Sequence, residues 1–295
     1  MLTDLNALLS RLDDSLRGKF LGLVRWFKSV EGIIIVAFSG GVDSSVVLAT
    51  ATLAIGSENI VAVTAISPIR FEEDVQWAKT IATFLNVKHL LIESDELKDP
   101  NFIANPPNRC YFCKKLLAWK LLDIAEKYGA KVIVDGTNTS DLSDFRPGYL
   151  AFREAGIRSP LLELGFTKDE VRTVAKAFEL PNWGEEPRTC LATRIPYGDL
   201  LSVERLRRIK EAERLVREIT GLTVVRVRDH TDIARIEVRR QEMYKFFNDD
   251  VVDKVDNALR KLGYKYVTLD LRGYRSGSLN EVLPRELKDR YVLQR

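Results

Sequence analysis

No run of about 18 apolar residues occurs in this chain of 295, so nothing in it suggests a membrane-spanning helix. Its first residues, Met1-Leu2-Thr3-Asp4-Leu5-Asn6, lack a basic stretch leading into an apolar core; no secretory leader is expected, and the cytoplasm is the default location. Cysteine is scarce, at Cys110, Cys113 and Cys190 only. An odd number of thiols without an export signal argues against a disulfide framework and leaves metal binding or catalysis as their use. No internal repeat or low-complexity segment stands out. Nor does one sign of charge dominate, since the net charge is +3, although the last 95 residues hold 22 basic against 16 acidic side chains. A surplus of that size can serve nucleic acid or one phosphorylated small molecule. Much of it falls between Glu204 and Arg214, where helical-spaced pairs such as Glu204 with Arg208 suggest a solvated face.

What is present centres on Ile33 to Ser45. The apolar run Ile33-Ile34-Ile35-Val36-Ala37-Phe38 suits a buried parallel strand, and Ser39-Gly40-Gly41 allows a tight turn before a helix that begins Val42-Asp43-Ser44-Ser45. Amide groups at that helix start, with the hydroxyls of Ser39, Ser44 and Ser45, favour an anion. Two common nucleotide motifs are missing: there is no glycine-rich loop ending in Lys-Ser/Thr, and no G-x-G-x-x-G. The Ser-Gly-Gly-x-Asp-Ser pattern instead resembles the PP-loop of the ATP pyrophosphatases. That resemblance implies Mg²⁺-dependent cleavage of ATP between the α- and β-phosphates and activation of a substrate oxygen as an adenylate.

The hydrophobic content of 45% allows a core in each of about two domains. Leu2–Ser29 reads as an amphipathic helical pair. Strands at 33–38, 60–66, 88–92 and 131–134 alternate with helices at 72–84 and 114–128, and a further helix at 168–178 enters through a Thr167/Glu170 capping box. The expectation is an α/β fold, a doubly wound parallel sheet, with ligands beyond the carboxyl ends of its strands. One such end carries Asp135-Gly136-Thr137-Asn138, whose carboxylate and amide suit Mg²⁺ or nucleotide; the segment Leu142–Gly148 reads as a loop. Residues 182–199, rich in Pro and Gly, are expected to form a functional linker between a first domain, 1–181, and a smaller α+β substrate domain, 200–295. In the latter, helices at 202–219 and 251–262 and strands at 222–227, 233–238 and 264–269 are expected.

Cys110-Tyr111-Phe112-Cys113 is expected in a loop just before the 114–128 helix, with Cys190 77 residues further on. Three thiolates suit three corners of a [4Fe–4S] cluster, or zinc with His89 or His230 as fourth ligand; His89, in a strand, also fits as a packed core imidazole. Several segments, Asn105-Pro106-Pro107-Asn108-Arg109-Cys110-Tyr111-Phe112-Cys113-Lys114-Lys115, Asp135–Asn138, Asp144-Phe145-Arg146-Pro147-Gly148, Cys190-Leu191-Ala192-Thr193-Arg194-Ile195-Pro196-Tyr197-Gly198 and Gly273-Tyr274-Arg275-Ser276-Gly277-Ser278, resemble in order the motifs of the LarE family, the sulfur-inserting enzymes of nickel-pincer nucleotide synthesis. The resemblance implies conversion of the carboxylates of pyridinium-3,5-biscarboxylic acid mononucleotide to thiocarboxylates. It implies ATP and Mg²⁺ at Ser39–Ser45, Ala65 and Asp135–Asn138, with Asp43 and the three cysteines at the chemistry. With all three cysteines present, the chain resembles the family version that carries sulfide on a [4Fe–4S] cluster rather than the one that sacrifices the sulfur of the cysteine at 190. An external sulfide source and a homo-oligomer, a hexamer in the family, are also implied. Thr193, Arg194 and Arg275 follow from motif matches as substrate contacts; Arg226 and Arg228 follow from strand alternation, and forked guanidinium groups suit phosphate and carboxylate. A tRNA 2-thiolation enzyme and a non-catalytic nucleotide-binding protein with structural zinc are the competing readings, although zinc-ribbon cysteine pairs and an RNA-binding module are missing.

Overall fold

A computed structural model describes residues 4–143, 145–186 and 188–289. Leu2, Asp144 and Pro187, each part of a segment read above, lie outside them. Two helices open the chain, α1 (Leu5–Leu9) and α2 (Asp14–Lys28), the second capped by Asp13, which accepts the Leu16 N–H at 2.9 Å. Four strands follow, β1 (Ile34–Ala37), β2 (Ile60–Ile66), β3 (Lys88–Glu93) and β4 (Val132–Val134), all parallel and ordered β3-β2-β1-β4. From β1 the chain runs outward through α3 (Val42–Ile55) to β2 and through α4 (Glu72–Phe84) to β3. It then crosses back through α5 (Pro100–Ile103) and α6 (Arg109–Tyr128) to place β4 on the other side of β1. Strand order therefore reverses between β1 and β4, and a crevice opens there beyond the carboxyl ends.

Alternation along β1 divides its residues between two cores. Ile34 and Val36 pack with α2, α3 and α4, whereas Ile35 packs with Leu117, Ala118 and Leu121 of α6. Both faces of the sheet are thus covered, as the near-continuous apolar runs of its central strands require. Helices α7 (Pro147–Glu154), α8 (Pro160–Glu163) and α9 (Lys168–Ala177) complete this half, and both hydrogen bonds of the Thr167/Glu170 capping box form.

The second half holds α10 (Val203–Thr220), β5 (Val225–His230), β6 (Ile233–Val238), α11 (Asp249–Lys261), β7 (Tyr266–Leu269) and α12 (Arg285–Asp289). Its sheet runs β5-β6-β7, with β6 antiparallel to β5 and parallel to β7. Among the described residues no helix is long and apolar enough to cross a membrane.

Four local expectations change. Helix α6 starts at Arg109, so Cys110 and Cys113 are helical rather than in a loop; Phe112 and Cys113 pack against the cluster of Phe71, Leu191 and Ile195, which holds that first turn. Pro147 opens α7 in place of continuing a loop, since proline at a first helical position gives up no intrahelical hydrogen bond. No helix is expected between the 88–92 strand and the 114–128 helix, yet α5 lies there and begins at Pro100 for the same reason. Strand β5 begins three residues late because Gly221, in the left-handed region at φ 71°, caps α10 and the chain needs Leu222–Val224 to return.

Candidate active site

The turn after β1 is closed by its own hydroxyls. Ser44 and Ser45 donate from Oγ to the Gly41 carbonyl, each at 3.0 Å, and Ser39 Oγ lies 3.1 Å from Ser44 Oγ. Gly40 sits at φ +79°, and a Cβ there would come within 2.4 Å of the Asp74 carbonyl oxygen and 2.8 Å of the Ala78 nitrogen, so no other residue fits. Gly41 is the N-cap of α3 and brings no side-chain acceptor. The first-turn amides of Val42, Asp43 and Ser44 are thereby left to an outside anion. Asn182, which the sequence reading placed only at the start of a linker, donates from Nδ2 to the Gly40 carbonyl at 2.8 Å and to Ser45 Oγ at 2.9 Å. It is a buried brace for the turn.

The end of β4 presses on the same helix start. A Cβ on Gly136 would lie 2.6 Å from the Ser44 nitrogen, so glycine is what lets the two strand ends meet. Asp135 is already satisfied, accepting from Ser159 Oγ at 2.6 Å, Thr137 Oγ1 at 2.5 Å and the Thr137 N–H at 3.2 Å. Asn138 is buried and accepts the Ser140 N–H at 3.0 Å. Ala65 is buried near the end of β2 on the α6 side of the sheet. Asp43 differs from Asp135. Its Oδ2 is ion-paired with Lys168 of α9, a residue sequence reasoning missed, and its Oδ1 is buried without a partner. Burial pushes the Asp43 carboxyl up from its ordinary range and Lys168 draws it back only in part.

The cysteines occupy the facing walls of a seam. Cys110 and Cys113 stand one turn apart on α6, and Cys190 immediately precedes a 3₁₀ turn, Leu191–Arg194. The expected linker is packed: Leu191 N–H donates to Ile69 O at 2.8 Å, and Asn105 Nδ2 donates to Pro196 O at 2.7 Å and to Asp199 O at 3.0 Å. Burial pushes the Cys110 thiol up and Cys113 up to about 12; Cys190 raises both further, and Cys110 also raises Cys113. All three thiols are free. His89 is half-buried rather than in the core, hydrogen-bonded to Thr64 and edge-on to Phe38, and His230 faces Arg235. Among the described residues no group of three or more His, Cys, Asp or Glu side chains stands arranged to hold a metal ion. The donors themselves, three neighbouring soft thiols on two walls, do suit an iron–sulfur cluster.

The arginines gather on the second half. Val225 and Val227 of β5 enter its core, which leaves Arg226 and Arg228 on the opposite face, as alternation predicts. Arg228 donates to Thr193 O at 2.6 Å, Glu237 Oε2 at 2.8 Å and Ser278 Oγ at 2.8 Å, while its Nε is buried without a partner. The Arg226 guanidinium lies over the Tyr274 ring at 5.2 Å. Arg275 is forked onto Glu281 at 2.8 and 3.2 Å. Arg194 is fully buried: Nε meets Glu213 Oε1 at 2.7 Å and Nη1 reaches Thr189 Oγ1 at 2.6 Å and Thr193 Oγ1 at 2.8 Å. The 3₁₀ turn is thereby anchored, and Thr193 Oγ1 donates to the Cys190 carbonyl at 2.7 Å. Arg194→Met is expected to lower unfolding free energy by about 3 kcal/mol in urea titration, because the Glu213 carboxylate, at 0% exposure, loses its buried partner and keeps only Arg217 at 3.5 Å and the Val227 N–H at 3.2 Å. A Glu213→Gln/Arg194→Met double variant should recover part of that loss.

Comparison with known proteins adds three findings. Residues 24–102, from α2 through α5, match the NAD synthase family. The chain is 38% identical over 263 residues to the pyridinium-3,5-bisthiocarboxylic acid mononucleotide synthase of Lactiplantibacillus plantarum, covering 88% of this chain and 93% of that protein. It is also 40% identical over 268 residues to an uncharacterized protein of Synechocystis sp., covering 91% and 99% of the two chains.

Proposed function

The chain belongs to the LarE family of ATP-using sulfurtransferases, and on that premise we propose that it adenylates the carboxylates of pyridinium-3,5-biscarboxylic acid mononucleotide and converts them to thiocarboxylates. The observation that carries this reading is the uncapped glycine turn at the sheet's reversal point, braced by Asn182 and faced by the partly unpartnered Asp43, with a packed cysteine seam built on α6. Amides and hydroxyls of Ser39–Ser45 grip the ATP phosphates, with Ala65 and Asp135–Asn138 bordering the nucleotide. Asp43 Oδ1 would supply an oxygen ligand to Mg²⁺, and Lys168 favours the ionised state of Asp43 against its burial.

A substrate carboxylate oxygen attacks the α-phosphorus and pyrophosphate departs with the bonding pair. A sulfur nucleophile from the cysteine seam then attacks the acyl carbon, and the C–O bond to AMP breaks. Cys110, Cys113 and Cys190 would hold a [4Fe–4S] cluster, which when bound offers an iron with an open position for sulfide. Arg226 and Arg228 receive the mononucleotide's phosphate and carboxylates, Arg275 leaves Glu281 to join them, and Arg194 positions Thr193 and Cys190 from behind.

Anaerobic incubation with the pyridinium mononucleotide, Mg·ATP and sulfide tests the reading. AMP, pyrophosphate and a thiocarboxylate product are expected together; pyrophosphate release that ignores the pyridinium nucleotide would refute it. Arg275→Ala is expected to weaken the mononucleotide by about 1.5–3 kcal/mol, the worth of a charge-assisted pair, and to leave ATP binding unchanged. Equal losses for both ligands in titration calorimetry would remove Arg275 from the substrate side.

A further inference from the structure

Arg109 and Arg194 are the bulkiest buried side chains among the described residues, and they are satisfied differently. Arg194 has the Glu213 carboxylate; the Nε and Nη1 of Arg109, a residue only 2% exposed, have no hydrogen-bond partner among the described residues. Buried guanidinium donors are rarely left so, because each forfeits its hydration without a replacement. Arg109 opens α6 directly before Cys110; its own N–H and that of Tyr111 are already given to Pro106 O at 2.9 Å and Asn108 O at 2.8 Å, so the open donors of this turn are those of the Arg109 side chain. Its guanidinium carbon lies 4.7 Å from the ring centre of Tyr197, which belongs to the loop that carries Cys190. That loop is held to the α6 side by the Gly198 N–H, which donates to Asn105 O at 3.0 Å.

The charge around the seam is uneven. Arg109, Arg146 and Lys114 act on Cys110, whereas the strongest charge acting on Cys113 is the buried carboxylate of Glu96, opposed only by Arg70; Glu96 Oε2 has no hydrogen-bond partner among the described residues. An anion entering the seam is therefore drawn towards Cys110 and away from Cys113.

We propose that the buried Arg109 guanidinium, at the start of α6, forms a binding site for a small monoanion beside Cys110 and Cys190, and that its ligand is hydrosulfide, the anionic form of the sulfur donor. The identity of the ligand rests on the sulfurtransferase reading; the anion site rests on Arg109. Arg109 is then a positioning residue that holds the incoming sulfur on the Cys110 side of the seam until it is used.

Alkylation of the iron-free full-length protein by iodoacetate, an anion, and iodoacetamide, its neutral counterpart, tests the site. Both reagents meet the same thiol with the same thiolate fraction, so the ratio of their rates reports anion attraction alone. At Cys110 or Cys190 the ratio should exceed that of the unfolded chain by about tenfold or more, the size of one charge-assisted hydrogen bond. Azide should lower it, and Cys113 should show no such preference. Arg109→Met should return the ratio to the unfolded value, and Arg109→Lys should retain most of it. A parental ratio equal to the unfolded one overturns the site without recourse to any variant, as does a preference that appears at Cys113 or survives in Arg109→Met. In turnover, Arg109→Met should raise KM for sulfide about tenfold and leave KM for the pyridinium mononucleotide unchanged. The opposite split would give the site to a substrate carboxylate and refute the hydrosulfide assignment. Iron content after anaerobic reconstitution is read separately: iron bound with no anion preference sinks only this site, and a preference without iron sinks only the cluster.

Discussion

Asp43→Asn is expected to cut pyrophosphate release by about 10²–10³-fold, the loss typical of removing one preorganised electrostatic group, while the melting temperature stays level or rises. Both halves follow from the same placement. Asp43 Oδ1 is buried without a partner among the described residues on the first turn of α3, where, on the proposed reading, the uncapped amides would hold the phosphates and a metal ion would need an oxygen ligand. An amide oxygen keeps the shape and removes the charge. On the stability side, burial raises the Asp43 pKa, so the folded state binds its proton more readily than the unfolded state does. The ionised form is then a burden on the fold above that pKa, and asparagine relieves it; Lys168, partly exposed, can return to water. The same sign sets the pH profile. In the metal-free protein Asp43 takes up its proton earlier than an ordinary aspartate as pH falls, whereas Mg²⁺ bound to it would hold it ionised, so added Mg²⁺ should move the acidic limb of parental pyrophosphate release to lower pH. Near-parental turnover in Asp43→Asn, or an acidic limb indifferent to Mg²⁺ concentration, would remove Asp43 from the metal.

The turn is legible in the chain because its parts are contiguous: an apolar run, two glycines and three hydroxyls within Ile33–Ser45. Its supports are not. Asn182 reaches Ser45 across 137 positions and Lys168 reaches Asp43 across 125, and both are residue types that ordinarily cap or solvate a helix end. Residue type alone cannot say which surface lysine the fold will bring to a carboxylate. The arginines show the same limit from the other side. Alternation places Arg226 and Arg228 on one face of β5, but only the packed fold shows Glu237 beside Arg228 and Glu213 beside Arg194. Arg194 thus leaves the expected ring of substrate cations for a buried anchor. The helical state of Cys110 and Cys113 escapes the local pattern because that turn is held by Phe71, Leu191 and Ile195, which periodicity within residues 105–115 does not reveal.

Replacing any one of the three cysteines by alanine is expected to abolish both iron binding and repeated turnover, with the parent enzyme turning over many times when fed sulfide under anaerobic conditions. The placement makes the three equivalent in this respect. Cys110 and Cys113 stand on one wall and Cys190 on the other, close enough to raise the pKa of both. Loss of one thiol leaves two donors where a cluster needs three from the chain and one open iron. If instead the sulfur of Cys190 were consumed, Cys110→Ala and Cys113→Ala would be nearly silent. One enzyme would then yield at most one sulfur, and its intact mass would fall by that of H₂S as Cys190 became dehydroalanine. Cys113 also packs against the Phe102–Leu191 cluster, so Cys113→Ser, which keeps most of the volume, and a melting curve for each variant separate lost ligation from lost packing. Full iron occupancy in Cys110→Ala, or a dehydroalanine at position 190 after a single parental turnover, would end the cluster reading and leave the adenylation at Ser39–Ser45 untouched.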